Sequence, residues 1–274
     1  MRRAFTAIEL ITALTVLAVV LALVARAATA HERLQRALAH SRTGTRAAQQ
    51  AVSILAAALT PLASDDIDPV AVSDSAVEFE ALVGGAVGCV TGGFIHLGAA
   101  SDTGAALASF FSPPQAGDRV LLLDTSTEPP RWATAGIDGV TSGGLPCGIA
   151  GPRDGQTLRL NQMPAAGPLV ALRVARRTRF NLYRSSDGDW YLGMREWNAQ
   201  ANRFNGVQPV AGPLAPYNVD PARTGLRIAF VDATGRELPP PAALAAGART
   251  LRITARSRDA AESAERIVGL RNAP

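Results

Sequence analysis

The segment AFTAIEL, residues 4–10, places one carboxylate, Glu9, at the start of an apolar run, Leu10 to Ala25, that carries no other charge. Two arginines at positions 2 and 3 lie directly upstream. A charged side chain inside a membrane segment costs about 3 kcal/mol or more, so a functional reason for Glu9 is expected. If the chain is cut between Ala4 and Phe5, Glu9 becomes the fifth residue, about one helical turn from the new amino terminus.

This N-terminus resembles the class III signal of type IV prepilins and type II secretion pseudopilins. The resemblance implies that a prepilin peptidase cuts after Ala4 and methylates Phe5, and that Glu9 pairs with the terminal amine of a neighbouring subunit. Ala4 stands where the family most often has glycine, but both residues are small. The β-rich remainder of the chain and its ending, Val268 to Asn272, are most similar to PilW/J-type minor pilins.

The pairing of Glu9 with an amine also follows from electrostatics. Opposite charges attract far more strongly in a low-dielectric medium than in water. Each charge is costly there alone and tolerable when it is paired. The sequence therefore predicts that the N-terminal helix is a polymerising element rather than a simple anchor.

Two other interpretations of the N-terminus remain open. The tripeptide Ala28-Thr29-Ala30 fits the small-x-small pattern of secretory cleavage, which would release a soluble protein that begins at His31. The pattern Arg2-Arg3-x-Phe5 is similar to a twin-arginine export signal. Glu9 fits poorly with both, because each signal joins a basic leader directly to an uncharged apolar core.

The charge of the chain does not indicate a nucleic-acid partner. The 274 residues include 27 basic residues, all of them arginine, against 23 acidic ones, for a formal charge of +4. Removal of the leader takes away two arginines and leaves the remainder close to neutral. The expected partners are other pilin or pseudopilin subunits, the prepilin peptidase and the inner membrane, and nucleic acid is not expected.

The two cysteines, Cys89 and Cys147, are predicted to form a disulfide if the chain is exported to an oxidising compartment. Such a bond would close a loop of roughly 60 residues, for which the chain-entropy model gives about 4 kcal/mol. Two buried free thiols are the alternative. The chain has no CxxC motif, so a zinc or redox site is not indicated.

The chain divides into a leader, residues 1–4, a long helix, 5–62, and a β-rich periplasmic head, 63–274. The helix range has little proline or glycine until Pro61, and its first part, about 8–28, is apolar enough to be predicted as transmembrane. Residues 77–82 alternate as a half-exposed strand, 226–231 and 250–255 are predicted to pair as strands, and a clear hairpin is centred on Asp187-Gly188. Gly84 to Gly93 is predicted to be a loop, and Ser257 to Glu265 a helical turn. The predicted class is α+β and pilin-like, with one long N-terminal helix packed on a mainly antiparallel sheet.

No catalytic, metal-binding or cofactor motif is present in the sequence, so an enzyme is not expected. The densest basic cluster, Arg173, Arg176, Arg177 and Arg179, is consistent with contacts to single-stranded DNA, but a solvated strand edge explains it more simply.

The expected function is that of a minor pilin that inserts in the inner membrane with its head in the periplasm and helps to initiate or cap a type IV pilus-like filament. A type II secretion pseudopilin is the alternative within the same class. An exported or membrane-anchored enzyme or binding module is the alternative from another class.

Overall fold

The computed structural model describes residues 7–62, 73–97, 108–124, 128–143, 155–163, 169–239, 250–259 and 262–270, which form one helix and fourteen strands. Helix α1 runs from Ala7 to Leu59, within the range 5–62 predicted for it. The strands are, in chain order, β1 (Ala76–Thr91), β2 (Phe94–Leu97), β3 (Ala108–Phe110), β4 (Arg119–Asp124), β5 (Arg131–Ser142), β6 (Gln156–Leu160), β7 (Leu169–Arg184), β8 (Trp190–Asn198), β9 (Arg203–Phe204), β10 (Gln208–Leu214), β11 (Leu226–Val231), β12 (Glu237–Leu238), β13 (Thr250–Arg256) and β14 (Ser263–Gly269).

Helix α1 ends where the sequence predicts that it should. Pro61 cannot continue the helix, because its ring leaves no N–H for the next backbone hydrogen bond. The last turn tightens instead: Thr60 N donates to Ala56 O at 2.9 Å, and Leu62 N donates to Leu59 O at 3.1 Å. At about 1.5 Å per residue, the 53 residues of α1 span about 80 Å.

The larger sheet has ten antiparallel strands, and six of them close on themselves. β7 pairs with β1 on one side and with β4 on the other, and the path β4–β5–β6–β2–β1 leads back to β7. The long strand β7 alternates as a half-buried strand should, with Val170, Leu172 and Val174 buried and Arg173 exposed. The side chains that point into the ring form a hydrophobic core of their own.

A second hydrophobic core lies between the two sheets and the second half of α1. The smaller sheet has the strand order β12–β11–β13–β14. Helix α1 packs on β10 of the larger sheet and on β13 and β14 of the smaller one. Val52, Leu55 and Leu59 are buried in this core, together with Phe79 and Phe180, whose rings stack with centroids 5.9 Å apart.

The larger sheet ends at β10, which pairs with β8 on one side. Two prolines, Pro209 and Pro213, lie in this seven-residue strand. Proline lacks the backbone N–H that a further strand would need, so it is confined to edge strands and bulges. The composition of β10 therefore agrees with its place at the edge of the sheet.

The hairpin predicted around Asp187-Gly188 is confirmed. Strands β7 and β8 pair antiparallel across this turn, and Gly188 takes a φ of 89°, which a side chain would disfavour. The pairing of the predicted strands 226–231 and 250–255 is confirmed as well, as β11 and β13.

Two segments that were assigned otherwise from sequence are strands. The prediction of a loop from Gly84 to Gly93 is wrong as far as Thr91. Strand β1 continues through the glycines of this segment and ends at Thr91. The backbone of Phe110 approaches Gly84 so closely that a Cβ there would lie 2.3 Å from Ser109 O, which only glycine allows. The predicted helical turn from Ser257 to Glu265 is wrong from Ser263 onward, where β14 begins and pairs along β13, while residues 260 and 261 lie outside the described residues.

The predicted α+β, pilin-like fold class is therefore wrong, and the architecture is mainly β. Within the described residues, fourteen strands in two antiparallel sheets stand against one helix. The physical reason is that strands build both hydrophobic cores of the head. Helix α1 contributes to one of these two cores, and only with its second half.

The predicted transmembrane segment at about 8–28 is corrected too. A crossing helix needs about 20 consecutive, predominantly apolar residues. Among the residues that the structure describes, no helix is long and apolar enough to span a bilayer, and the exposed side chains of α1 include Arg26, Glu32 and Arg33. The predicted single-pass inner-membrane anchor is corrected by this finding, and the pilin-fold and transmembrane descriptors are corrected with it.

Candidate functional site

The residues that the sequence singled out are only partly within the described chain. Ala4, Phe5 and Cys147 lie outside the described residues. Glu9 belongs to the first turn of α1, but its side chain is not among those described. Cys89 is buried in β1 and is disulfide-bonded, and no described cysteine is free. Its pairing with Cys147 stays a prediction.

One row of apolar residues runs along most of α1 and is buried at one end only. We call it the apolar stripe, and its described members are Leu17, Val24, Leu34, Leu38, Ala48, Val52, Leu55, Leu59 and Leu62, the last lying just after the helix. Residues 17, 24, 38, 52 and 59 are separated by multiples of seven, and so are 34, 48, 55 and 62, with the polar residues His31, Ser41 and Thr45 standing in the same registers. A seven-residue repeat at two positions is the pattern by which helices pack along one another.

The two ends of the apolar stripe have opposite environments. From Ala48 onward its members are at most 3% exposed, because both sheets cover them. Leu17, Val24, Leu34 and Leu38 are 48–59% exposed, without cover from the described part of the chain. Exposed apolar side chains that continue a buried packing stripe mark a surface for another apolar element.

Where α1 leaves the head, polar contacts replace the apolar ones. Ser41 Oγ donates to Glu262 Oε1 at 2.9 Å, and a Cβ on Gly44 would lie 2.9 Å from Ser257 Cβ. Thr45 Oγ1 donates back to Ser41 O at 2.9 Å. These residues interrupt the apolar stripe at the rim of the head, so the covered and uncovered halves of α1 are separated by a polar segment.

A buried ion network forms a second candidate site, on the inner side of the larger sheet. Arg176 is 5% exposed in β7, and all five of its N–H groups have acceptors. Two N–H groups bind the carboxylate of Asp118 at 2.8 and 2.9 Å, one binds Glu196 at 3.2 Å, and the others bind Ser112 Oγ and Pro113 O. The hydrogen bonds that Arg176 donates to Asp118, which outweigh the opposing effect of burial, raise the pKa of Arg176 above its ordinary value.

A cavity of about 500 Å³ lies between this ion network and the end of α1. Its walls come from the last helical turn, from β1 around its bulge at Leu82, and from Phe111, while Arg176 and Glu196 reach it from β7 and β8. Phe111 is 87% exposed, and its backbone is held in place by a hydrogen bond to Val83 O at 2.9 Å. The cavity is thus mainly apolar with two charged groups at one side.

The predicted arginine cluster is divided by the alternation of β7. Arg176 points inward to Asp118, whereas its neighbours lie on the opposite face of the sheet. There, Arg173 lies 4.8 Å from the ring centre of Trp132, and Arg177 lies 5.0 Å from that of Trp197 and also pairs with Glu78. Guanidinium groups already cover these rings, which makes the face a poor platform for base stacking.

Sequence reasoning missed the ion network, although one signal for it was present. Arg176 occupies the same parity as Val174, Thr178 and Phe180, which is the buried face of β7. An arginine in register with core residues predicts a buried partner carboxylate. The identity of the partners, Asp118 and Glu196, follows from the pairing of β4 and β8 with β7. The alternation of residues along β7 does not reveal which strands pair with it.

Among the described residues, no group of histidine, cysteine or acidic side chains is arranged to hold a metal ion. The arrangement supports binding through the exposed stripe and the cavity. Comparison with protein-family models, with curated proteins and with solved structures finds no match to this chain.

Proposed function

We propose that this chain is a non-catalytic subunit of a multi-chain filament, and that it joins its neighbours through the uncovered half of α1. The observation that carries the proposal is the apolar stripe, which is at most 3% exposed in the head and about half exposed beyond it. A single helix that presents a seven-residue apolar repeat to solvent gains stability when a second helix covers that repeat.

The N-terminal sequence supports the same proposal and adds a role. Its resemblance to prepilins implies cleavage after Ala4, a methylated Phe5, and a Glu9 carboxylate that pairs with the amine of a neighbour. The chain would then act as a minor subunit that helps to start or cap a filament. A pseudopilus of type II secretion is the alternative within this class, and the helix-to-helix contact is common to both.

Site-specific cross-linking of the full chain tests the contact. Val24→Cys places a thiol on the apolar stripe, and Thr29→Cys places one on the opposite side of the same exposed helix segment. With a short bis-maleimide, we expect Val24→Cys to give covalent dimers and Thr29→Cys to give few. The parent chain gives the background, since Cys89 is disulfide-bonded and cannot react.

The cross-linking result distinguishes a filament subunit from a binding module. Equal cross-linking at the two positions, or none at either, would show that the apolar stripe is not a contact between subunits, and a binding module would then be favoured. Sequencing the mature N-terminus from the native host tests the filament role separately. A start at methylated Phe5 supports the role, whereas a start at His31 or at Met1 contradicts it.

A further inference from the structure

The cavity beside Arg176 has the features of a ligand site that the proposed function does not use. Its volume of about 500 Å³ lies within the range of about 300–1,000 Å³ that is typical of small-molecule pockets. Its walls are predominantly apolar, and the lining residues on which the argument depends are Ala57, Leu82, Phe111, Arg176 and Glu196. An apolar body of one ring or a short branched chain fits such a space.

The charges at the wall are unequal. Among the described residues, Arg176 is the one positive group of the lining, and it faces two carboxylates, Asp118 behind it and Glu196 beside it. Asp118 is 2% exposed and takes two of the guanidinium N–H groups, so it neutralises Arg176 almost completely. The remaining charge of this network is therefore negative, and it resides on Glu196.

Glu196 is the group that a ligand can reach. Its side chain is 38% exposed, compared with 6% for that of Arg176, and it receives a single hydrogen bond from Arg176, at 3.2 Å. Arg176 has no N–H left to offer, since all five are bound. A ligand anion would thus meet an excess carboxylate without a free donor, whereas a ligand cation would meet an acceptor.

We propose that this cavity binds small ligands with an apolar body and a single positive charge, such as arylalkyl amines, with the ammonium group paired to Glu196. The apolar body lies against Leu82, Phe111 and the last turn of α1, where it covers apolar surface that is now exposed to solvent. The ammonium group completes the hydrogen bonding of the Glu196 carboxylate in a partly desolvated setting, where charge-assisted hydrogen bonds are strongest.

Three probes of nearly equal size test the charge preference on the full chain by calorimetry and by NMR shifts. They are 2-phenylethylamine, 2-phenylethanol and 3-phenylpropionate. We expect the amine to bind about tenfold more tightly than the alcohol, and the carboxylate to bind more weakly than either. Equal binding of the amine and the alcohol would overturn the proposal, as would no binding of the amine at millimolar concentration.

Two variants locate the site. Glu196→Gln keeps the size of the side chain and removes its charge, so the tenfold preference for the amine should vanish while the alcohol binds as before. Ala57→Trp fills the cavity from an exposed helix position and should abolish binding of all three probes, whereas Ser53→Trp, one turn earlier and outside the lining, should not. Amine binding that survives Ala57→Trp would show that the ligand binds elsewhere and would contradict the proposal.

Discussion

Gly44 of α1 and Ser257, just beyond β13, touch so closely that a single added methyl group on the glycine would lie 2.9 Å from Ser257 Cβ. The two residues are 213 positions apart in the sequence. Ser257 is buried, and its backbone also bridges to Leu214 in β10, so it cannot withdraw freely. This contact marks the point at which α1 enters the head.

Gly44→Ala tests the contact against helix propensity. Alanine gains about 1 kcal/mol over glycine inside a helix. Overpacking a buried contact costs about 1–3 kcal/mol. Because Ser257 Cβ is not the end of a flexible side chain, we expect a net loss of about 1 kcal/mol in the free energy of unfolding, measured by urea denaturation. Thr43→Ala, at an exposed neighbouring position, is the control and should cost little. Stabilisation by Gly44→Ala would show that the head moves away from the helix at small cost.

The buried ion pair should be the most sensitive polar feature of the head. Asp118→Ala leaves Arg176 buried with Glu196 as its one charged partner within the described part of the chain, and loss of one member of a buried pair costs about 3–5 kcal/mol. The exposed pair Arg223–Asp220 is the control, for which Arg223→Ala should cost less than about 1 kcal/mol. Denaturant unfolding measures both, and similar losses for the two variants would contradict the assignment of a structural role to Arg176.

The two halves of the apolar stripe should respond differently to the same truncation. Leu55 is fully buried, so Leu55→Ala should reduce the free energy of unfolding by about 3 kcal/mol. Leu38 is 48% exposed, so Leu38→Ala should change the stability of the isolated chain by less than about 0.5 kcal/mol. The Leu38 variant should instead reduce self-association, measured by sedimentation. A large loss of monomer stability from Leu38→Ala would mean that the head covers this residue.

The disulfide at Cys89 should contribute measurably to stability. Peptide mapping without reduction should recover Cys89 linked to Cys147, the one other cysteine of the chain. Reduction should lower the melting temperature, since a disulfide that closes a loop of this length contributes about 4 kcal/mol in the chain-entropy model. Recovery of Cys89 in a link between two chains would instead assign the bond to assembly.

The turn between β11 and β12 should weaken in acid. Asp232 accepts hydrogen bonds from the Thr234 hydroxyl at 2.6 Å and from the Arg236 backbone N–H at 3.0 Å, and these lower its pKa from the ordinary value of 3.8. A carboxyl group whose pKa is lowered by folding stabilises the fold at pH values above the ordinary carboxyl pKa. This stabilisation is lost as the pH falls through the pKa of the folded state. Carbon-13 NMR of the Asp232 carboxyl should show a midpoint below 3.8, and a midpoint at or above it would contradict this turn geometry.

Local patterns predicted the parts of this chain whose structure depends on near neighbours. The alternation of residues 77–82 and the Asp187-Gly188 turn were sufficient for β1 and for the β7–β8 hairpin. The glycines of β1 were not recognised as strand residues, because glycine signals a turn until the close approach of Phe110 to Gly84 is known. Which half of the apolar stripe is covered depends on strands that follow α1 in the chain, from β1 to β14, so the sequence of α1 alone does not show it.

The prolines of β10 restrict how copies of this chain can join. Pro209 and Pro213 lack a backbone N–H, and the register of β10 along β8 shifts twice, so this edge is an irregular template for an incoming strand. Edge-to-edge aggregation of heads through β-strand pairing is therefore disfavoured at this edge of the sheet. At this rim, contacts between copies are left to side chains, whose shape and spacing discriminate between partners in a way that backbone pairing does not.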